Sequence, residues 1–326
     1  MMSAANPTWA RYRKILKEWA ALLVLILLCL FIGANNPRFF QSQNLIRIAT
    51  SSTLILLFAI GETFVIMMGS IDLSIEGVVA LSAVMVSMVV QNGRNDNDFG
   101  WLALVVALAT GGTMGLLNGV THVGLRIPSF MSTLGMNYVG VGAATVLLSG
   151  EPIRVLDPNI RGLALNRYLN VPYMVWVALV VLLLAYGIQR YTRLGRYVYG
   201  IGAGEDLMKL SGIPIGRNKI MIFTLAGMFY GFAGLVAAAQ LGMGNALIVQ
   251  GKAFPAITAV VVGGTALSGG VGGVLTTLIG VLVVGVLSNG MVLMGISPYI
   301  QQAVQGIMIV IAVALSLDRA RLKIVK

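Results

Sequence analysis

An all-α polytopic membrane protein is the fold class this sequence predicts, with about ten transmembrane helices, broken or re-entrant glycine-rich elements, and both termini cytoplasmic. Three observations predict it. First, 58% of the residues are apolar, 10% are charged and the mean hydropathy is +0.90. A soluble domain carries about 25% charged residues, so a water-soluble enzyme is excluded, and disorder is excluded by the hydrophobicity. Second, apolar runs near the ~20 residues that cross a bilayer recur along the chain. Ten of them use ~200 of the 326 residues and leave only short loops, so residues 1–326 read as a single transmembrane domain. Third, the 40 glycines gather in patches that no continuous helix would hold.

The elements follow in order. Arg11, Arg13, Lys14 and Lys17 form a basic N-terminus, 1–17, before the first helix at about 18–34. It imitates a signal peptide, but no Ala-x-Ala-like site follows, so an uncleaved helix is expected. Further helices are expected at about 46–68, 75–91 and 101–121. Pro128, suited to a first helical turn, opens the next, to about 149. The remainder are about 172–189, 218–241, 254–263 (too short to span alone), 271–294 and 299–316, before a basic tail, 317–326.

Charge sets the orientation. In a soluble protein a net charge of +11 would suggest nucleic acid, but here the basic residues sit at helix ends and in loops. With the N-terminus inside and an even number of crossings, only seven of the 22 Lys and Arg fall outside: Arg38, Arg47, Arg94, Arg154, Arg161, Arg167 and Lys252. That asymmetry places both termini in the cytoplasm, with no nucleic-acid partner.

Two interruptions stand out. Residues 262–273 hold Gly263, Gly264, Gly269, Gly270, Gly272 and Gly273, and read as a broken or re-entrant element. Residues 69–77 echo them at a separation of 194, since Gly69, Leu73 and Ser74 match Gly263, Leu267 and Ser268. A second echo, Asn118-Gly119 then Pro128 against Asn289-Gly290 then Pro298, runs at 170–171. The two are remnants of a duplicated bundle, or chance among small residues.

No catalytic constellation is present. One Cys (Cys29) and one His (His122, a polar residue beside a helix end) exclude Cys–His nucleophiles and His-rich metal sites. There is no Gly-x-x-x-x-Gly-Lys-[Ser/Thr] loop, so ATP, if used, binds another chain, and no cofactor is expected on this one. Glu18 lies at the membrane edge beside Lys14 and Lys17. Glu62 lies deep in an apolar run, where an ionised carboxylate costs about 2.5–3.5 kcal/mol. It reads either as a hydrogen-bonded packing residue or as an ion carrier. Asp72 reads as an N-cap for the helix at 75. The inside loop 190–219 is the one substantial polar connection. Within it Glu205 to Leu210 suits a short amphipathic helix with a Glu205–Lys209 pair, stopped by Gly212 and Pro214.

Four segments, in the right order and covering most of the chain, now carry a resemblance. Gly69-Ser70-Ile71-Asp72-Leu73-Ser74, Ile127-Pro128-Ser129-Phe130-Met131-Ser132-Thr133-Leu134-Gly135, Gly195-Arg196 through Ser211-Gly212-Ile213, and Ala259-Val260-Val261-Val262-Gly263-Gly264-Thr265 with Ser268-Gly269-Gly270 resemble the signatures of the permease subunit of ABC importers for monosaccharides, the ribose, xylose and galactoside type. The chain departs from the family at Ser70, Glu76, the Val139-Gly140-Val141-Gly142 run and Gly204 to Met208.

The resemblance implies a permease of a bacterial inner membrane that imports a monosaccharide or similar polyol. Its implied partners are a second permease chain (a copy or a paralogue), ATP-binding subunits, a periplasmic sugar-binding protein and the lipid bilayer. It further implies pathway residues among Glu62, Asp72, Ser74, Asn118, Asn137, Thr265, Ser268 and Asn289, with Gln240 and Asn245 as further hydroxyl partners. The segment 196–214 would dock on the ATPase through Gly202, Ala203, Gly204, Glu205, Leu210 and Gly212. The loop 150–171 would meet the binding protein through Arg154, Asp157, Arg161 and Arg167. The alternative is a proton- or sodium-coupled secondary transporter working through Glu62.

Overall fold

The computed structural model describes residues 7–316, with side chains from 20 to 314. The tail 317–326 therefore lies outside the described residues, as do residues 1–6 and the side chains of Arg11, Arg13, Lys14, Lys17 and Glu18.

Each apolar run forms a helix. The first long elements are α1 (Pro7–Asn35), α2 (Ser42–Met67), α3 (Ile75–Val89), α4 (Leu102–Gly124) and α5 (Ser129–Leu148). A 3-10 turn at Pro37–Phe40 carries the chain into α2 four residues earlier than expected, and α1 starts well upstream of its apolar run. Pro128 is the N-cap of α5 rather than a first-turn residue. The connection to the second half contains β1 (Ile153–Arg154), α6 (Pro158–Leu165), the hairpin β2 (Arg167–Tyr168) and β3 (Val171–Pro172), α7 (Tyr173–Tyr191), α8 (Arg193–Ala203) and α9 (Glu205–Leu210). The second half runs α10 (Ile215–Leu241), β4 (Met243–Gly244), α11 (Ala253–Val262), α12 (Val274–Leu293) and α13 (Pro298–Ser316).

The fold is thus mostly helical rather than purely so. Arg154 pairs with Met243 and Ile153 with Gly244, antiparallel, and Arg167 pairs with Pro172 in the hairpin. Among the described residues, six helices are long and apolar enough to cross a membrane, and the chain is a multi-pass membrane protein. Outward faces remain apolar, as lipid contact requires: Leu27, Phe31, Val146, Leu183 and Ile307 are all exposed.

The centre is α10, buried along much of its length against α4, α3 and α2. Gly111, Gly115 and Gly119 on α4 recur every fourth residue, and face Gly227, Gly231 and the backbone of Phe223 and Ile220 on α10. In lipid no hydrophobic force draws helices together, so close backbone contact at small residues has to. A Cβ at Gly111 or Gly231 would collide with the opposing backbone.

The order of elements repeats. A long helix, a short one and two long ones make up α2–α5 and again α10–α13. The packing repeats as well, with α10 against α4 and α2 against α12. Asn118 on α4 and Asn289 on α12 occupy equivalent elements of this repeat, so the echo at 170–171 follows the repeated order of elements. The 194-residue echo does not: 69–74 precedes a short helix, whereas 263–273 follows one.

Candidate functional site

The chain breaks after α2 because Gly69 takes φ +83°, a conformation few other residues adopt. The next backbone groups lie inside the bundle with no helical partner, and irregular backbone there must be satisfied internally. Four consecutive N–H groups find four side chains. Ile71 donates to Ser129 Oγ (3.1 Å), Asp72 to Glu62 Oε1 (3.2 Å), Leu73 to Thr133 Oγ1 (2.9 Å) and Ser74 to Asp72 Oδ1 (2.8 Å). Inside α3, Gly77 donates to Asn137 Oδ1 (2.7 Å). Asp72 is therefore not the N-cap of α3; it holds the N–H of Ser74, and Asn137 on α5 serves the first helical turn.

The network continues across two further helices. The Tyr230 hydroxyl on α10 donates to Glu62 Oε2 (3.0 Å). The Ser74 hydroxyl donates to Asp72 Oδ1 (2.6 Å) and accepts from Asn118 Nδ2 on α4 (2.7 Å). Glu62, Asp72, Ser74 and Asn118 are all buried. Asp72 Oδ2 and Asn118 Oδ1 have no partner among the described residues. Every bond in this set goes to another member of it or to the broken backbone, so its geometry suits holding that backbone in an apolar interior. Glu76 adds a link between the two halves, accepting from the Ala253 N–H that opens α11 (3.0 Å).

The second break, 263–273, carries positive φ at Gly264, Gly269, Gly270 and Gly272, so α12 begins at Val274 and not 271. Thr265 is buried, its hydroxyl without a partner among the described residues, and Ser268 is exposed. Asn289 stands apart from the Glu62 network, in a reciprocal amide pair with Asn44 (3.0 Å each way). The two breaks meet where the Gly270 N–H donates to the Met67 carbonyl (2.8 Å).

The polar loop at 190–219 contains a full helix, α8, which the sequence does not announce, and then the expected α9. Gly202 lies against the Met67 carbonyl and the Gly269–Gly270 backbone, so it packs within the chain. Gly204 meets only Leu207, at 3.7 Å from a built Cβ. On α9, Leu207 and Leu210 are 70% and 86% exposed. The expected Glu205–Lys209 pair is replaced by Glu205–Lys219 (2.5 Å) and Asp206–Lys209 (3.8 Å). Gly212, at φ +76°, ends the element.

At the opposite end Arg154 and Arg167 are exposed. Asp157 is buried as the N-cap of α6, accepting from Asn159 and Ile160, and Arg161 donates to the Ala239 carbonyl (2.6 Å). A cavity of about 860 Å³ opens there, lined by Arg47, Thr50, Ser51, Arg167, Asn170 and Gln240 among others. Asn245 Oδ1 accepts from Leu247 N–H (2.8 Å). His122 sits in the last turn of α4 with Nδ1 2.7 Å from the Ile127 carbonyl.

Sequence reasoning missed Tyr230, Gln189 and Tyr199. A tyrosine in an apolar run reads as core, and only its pairing with Glu62 marks it. Gln189 offers a weak signal, a buried amide near a helix end.

Residues 44–313 match the family model described as branched-chain amino acid transport system / permease component. The chain is 34% identical over 302 residues to the ribose import permease protein of Escherichia coli (strain K12), covering 91% of this chain and 93% of that one. It is 33% identical over 303 residues to the ribose import permease protein of Bacillus subtilis (strain 168), covering 92% and 93%. To the galactose/methyl galactoside import permease protein of Escherichia coli (strain K12) it is 30% identical over 338 residues, covering 99% and 100%. No solved structure matches significantly.

Proposed function

The chain belongs to the branched-chain amino acid transport system / permease component family, and on that premise we propose that it forms the membrane pathway of an ATP-driven ABC importer for a monosaccharide or similar small polyol. The observation that carries this reading is the full-length similarity to ribose and galactose import permeases. The family description names amino acids, but the relatives named above name sugars, and the sugar reading follows them. A carrier working through Glu62 finds no support among these relatives.

The finer reading has ten crossings of a bacterial inner membrane and both termini cytoplasmic, all of 1–326 forming one domain without a cofactor. A second permease chain, a copy or a paralogue, completes the pathway, and ATP is hydrolysed on separate subunits. Leu207 and Leu210 on α9 supply the apolar face that an ATPase subunit would cover. Exposed Arg154 and Arg167 would meet acidic groups of a periplasmic sugar-binding protein. Glu62, Asp72, Ser74 and Asn118 frame the pathway by holding the first break in shape.

Reconstitution tests this. Vesicles containing the chain, an ATP-binding subunit and the binding protein should take up at least one labelled pentose or hexose only when ATP is supplied. Uptake by the chain alone, driven by a proton or sodium gradient, would refute it.

A further inference from the structure

The second break is held by two side chains whose bonds leave little choice of arrangement. Gln189, in the last turn of α7, is only 8% exposed. Its Oε1 accepts from the Val274 N–H (2.9 Å), the first residue of α12. That fixes the amide orientation, so Nε2 faces the Tyr199 hydroxyl of α8 (2.5 Å), with Met67 Sδ at the end of α2 3.9 Å away. Tyr199 Oη, already accepting from Gln189, donates to the Gly272 carbonyl (2.8 Å). Gly273 lies so close that a Cβ there would meet Gln189 Nε2 at 2.8 Å. Three residues along α8, Gly202 rests on the backbone of both breaks.

From this geometry we propose that Gln189 and Tyr199 are positioning residues that clasp the second break to α8, so that displacement of the cytoplasmic segment moves residues 269–274 directly. This rests on the reading of α8 and α9 as the ATPase handle, and deepens it by giving the route. A connection through α7 and α10 alone would move the break only as those whole helices tilt. The clasp instead joins α8 to Gly272 and Val274 through two side chains. Because both break-facing bonds go to backbone atoms, they position the segment whatever side chains it carries.

The test has two arms. In the first, amide exchange is measured on the chain in lipid nanodiscs. Tyr199→Phe removes a single hydroxyl, and Gln189→Leu removes the acceptor of the Val274 N–H. A hydrogen bond of ordinary net strength corresponds to about three- to tenfold, so exchange across 270–274 should quicken by that factor. In the second arm the complex with an ATP-binding subunit and binding protein is assayed for sugar imported per ATP hydrolysed. With Tyr199→Phe the subunit should still co-purify and ATP still be hydrolysed, while sugar per ATP falls at least about threefold. Tyr197→Phe, on the same helix, should move neither readout.

Unchanged exchange, an unchanged ratio, or an equal response to Tyr197→Phe would overturn the clasp. Should Gln189→Leu fail to insert, the single-hydroxyl variant decides the matter. Failure of the wild-type chain to retain an ATP-binding subunit would instead refute the handle reading, and the exchange arm would still judge the clasp itself.

Discussion

Replacing Glu62 by glutamine separates a framework role from a carrier role. The carboxylate accepts from the Asp72 N–H at 3.2 Å and from the Tyr230 hydroxyl at 3.0 Å. Glutamine has nearly the same volume. It keeps its oxygen on the Asp72 N–H and turns its NH₂ toward the Tyr230 oxygen, so only the tyrosine proton loses its acceptor. One neutral hydrogen bond is worth about 0.5–1.5 kcal/mol net, and withdrawing a charge from an apolar interior offsets part of that. The expected cost is about 1 kcal/mol or less. Tyr230→Phe leaves one buried oxygen short of a donor, about 1–3 kcal/mol. Glu62→Ala orphans both donors, about 2–6 kcal/mol together. Thermal unfolding in detergent should rank the variants in that order. ATP-driven uptake by Glu62→Gln should stay within about threefold of wild type, the factor matching less than 1 kcal/mol. A Glu62→Gln chain that folds normally but loses uptake entirely would refute the framework reasoning, as would Glu62-dependent uptake that needs a proton or sodium gradient.

Gly202→Val would drive a side chain into the Met67 carbonyl and the Gly269–Gly270 backbone, neither of which can swing aside. It should cost about 1–3 kcal/mol or more, seen as a lower unfolding midpoint, and abolish uptake. Gly204→Trp meets only the exposed Leu207 side chain at ordinary contact distance, so it should fold normally yet weaken ATPase co-purification and uptake; retention of both would remove the docking assignment. Leu210→Asp, at a site 86% exposed, should leave the unfolding midpoint unchanged and release the ATPase subunit in pull-down. Arg154→Glu and Arg167→Glu should weaken capture of the binding protein. Wild-type capture should fall as salt rises past 0.1 M, where screening acts over about 10 Å, and the variants should respond less to salt.

The spanning helices were legible because apolar runs in a chain this hydrophobic have few other uses. Two elements hid for different reasons. Helix α8 has no apolar run and holds Gly195, Gly200 and Gly202, residues that read as a loop. Thr192 Oγ1 accepting from the Gly195 N–H, and burial of Val198 and Ile201, make it a helix. Helix α6 is only eight residues long with no apolar run, and its one signal is Asp157-Pro158, an N-cap followed by a first-turn proline. In the site, Glu62, Asp72, Ser74 and Asn118 were visible as rare polar groups in apolar surroundings. The bonds that Ser129, Thr133 and Asn137 make to backbone N–H groups 58 to 60 residues away were not, because only packing creates those pairings.

The repeated order of elements gives the connecting segment its importance. Residues 149–214 join one four-helix unit to the other, and they grip the bundle at both ends. At one end Leu156 and Asp157 donate to the Gln91 carbonyl (2.8 and 3.1 Å), and Val155 donates to the Gly242 carbonyl (2.9 Å), tying the end of α3 to the end of α10. At the other, α8 lies on Met67, Gly269 and Gly270, tying the end of α2 to the approach to α12. Between them runs α7, whose 19 residues span about 28 Å, close to the thickness of a hydrocarbon core. Exposed Arg154 lies on the first strap, and exposed Leu207 and Leu210 directly follow the second. A protein bound at either end therefore presses on a segment bonded to both four-helix units. One helix connects the two straps, so strain at one can reach the other without passing through the glycine-packed α4–α10 contact. That contact, backbone on backbone, has little room to give.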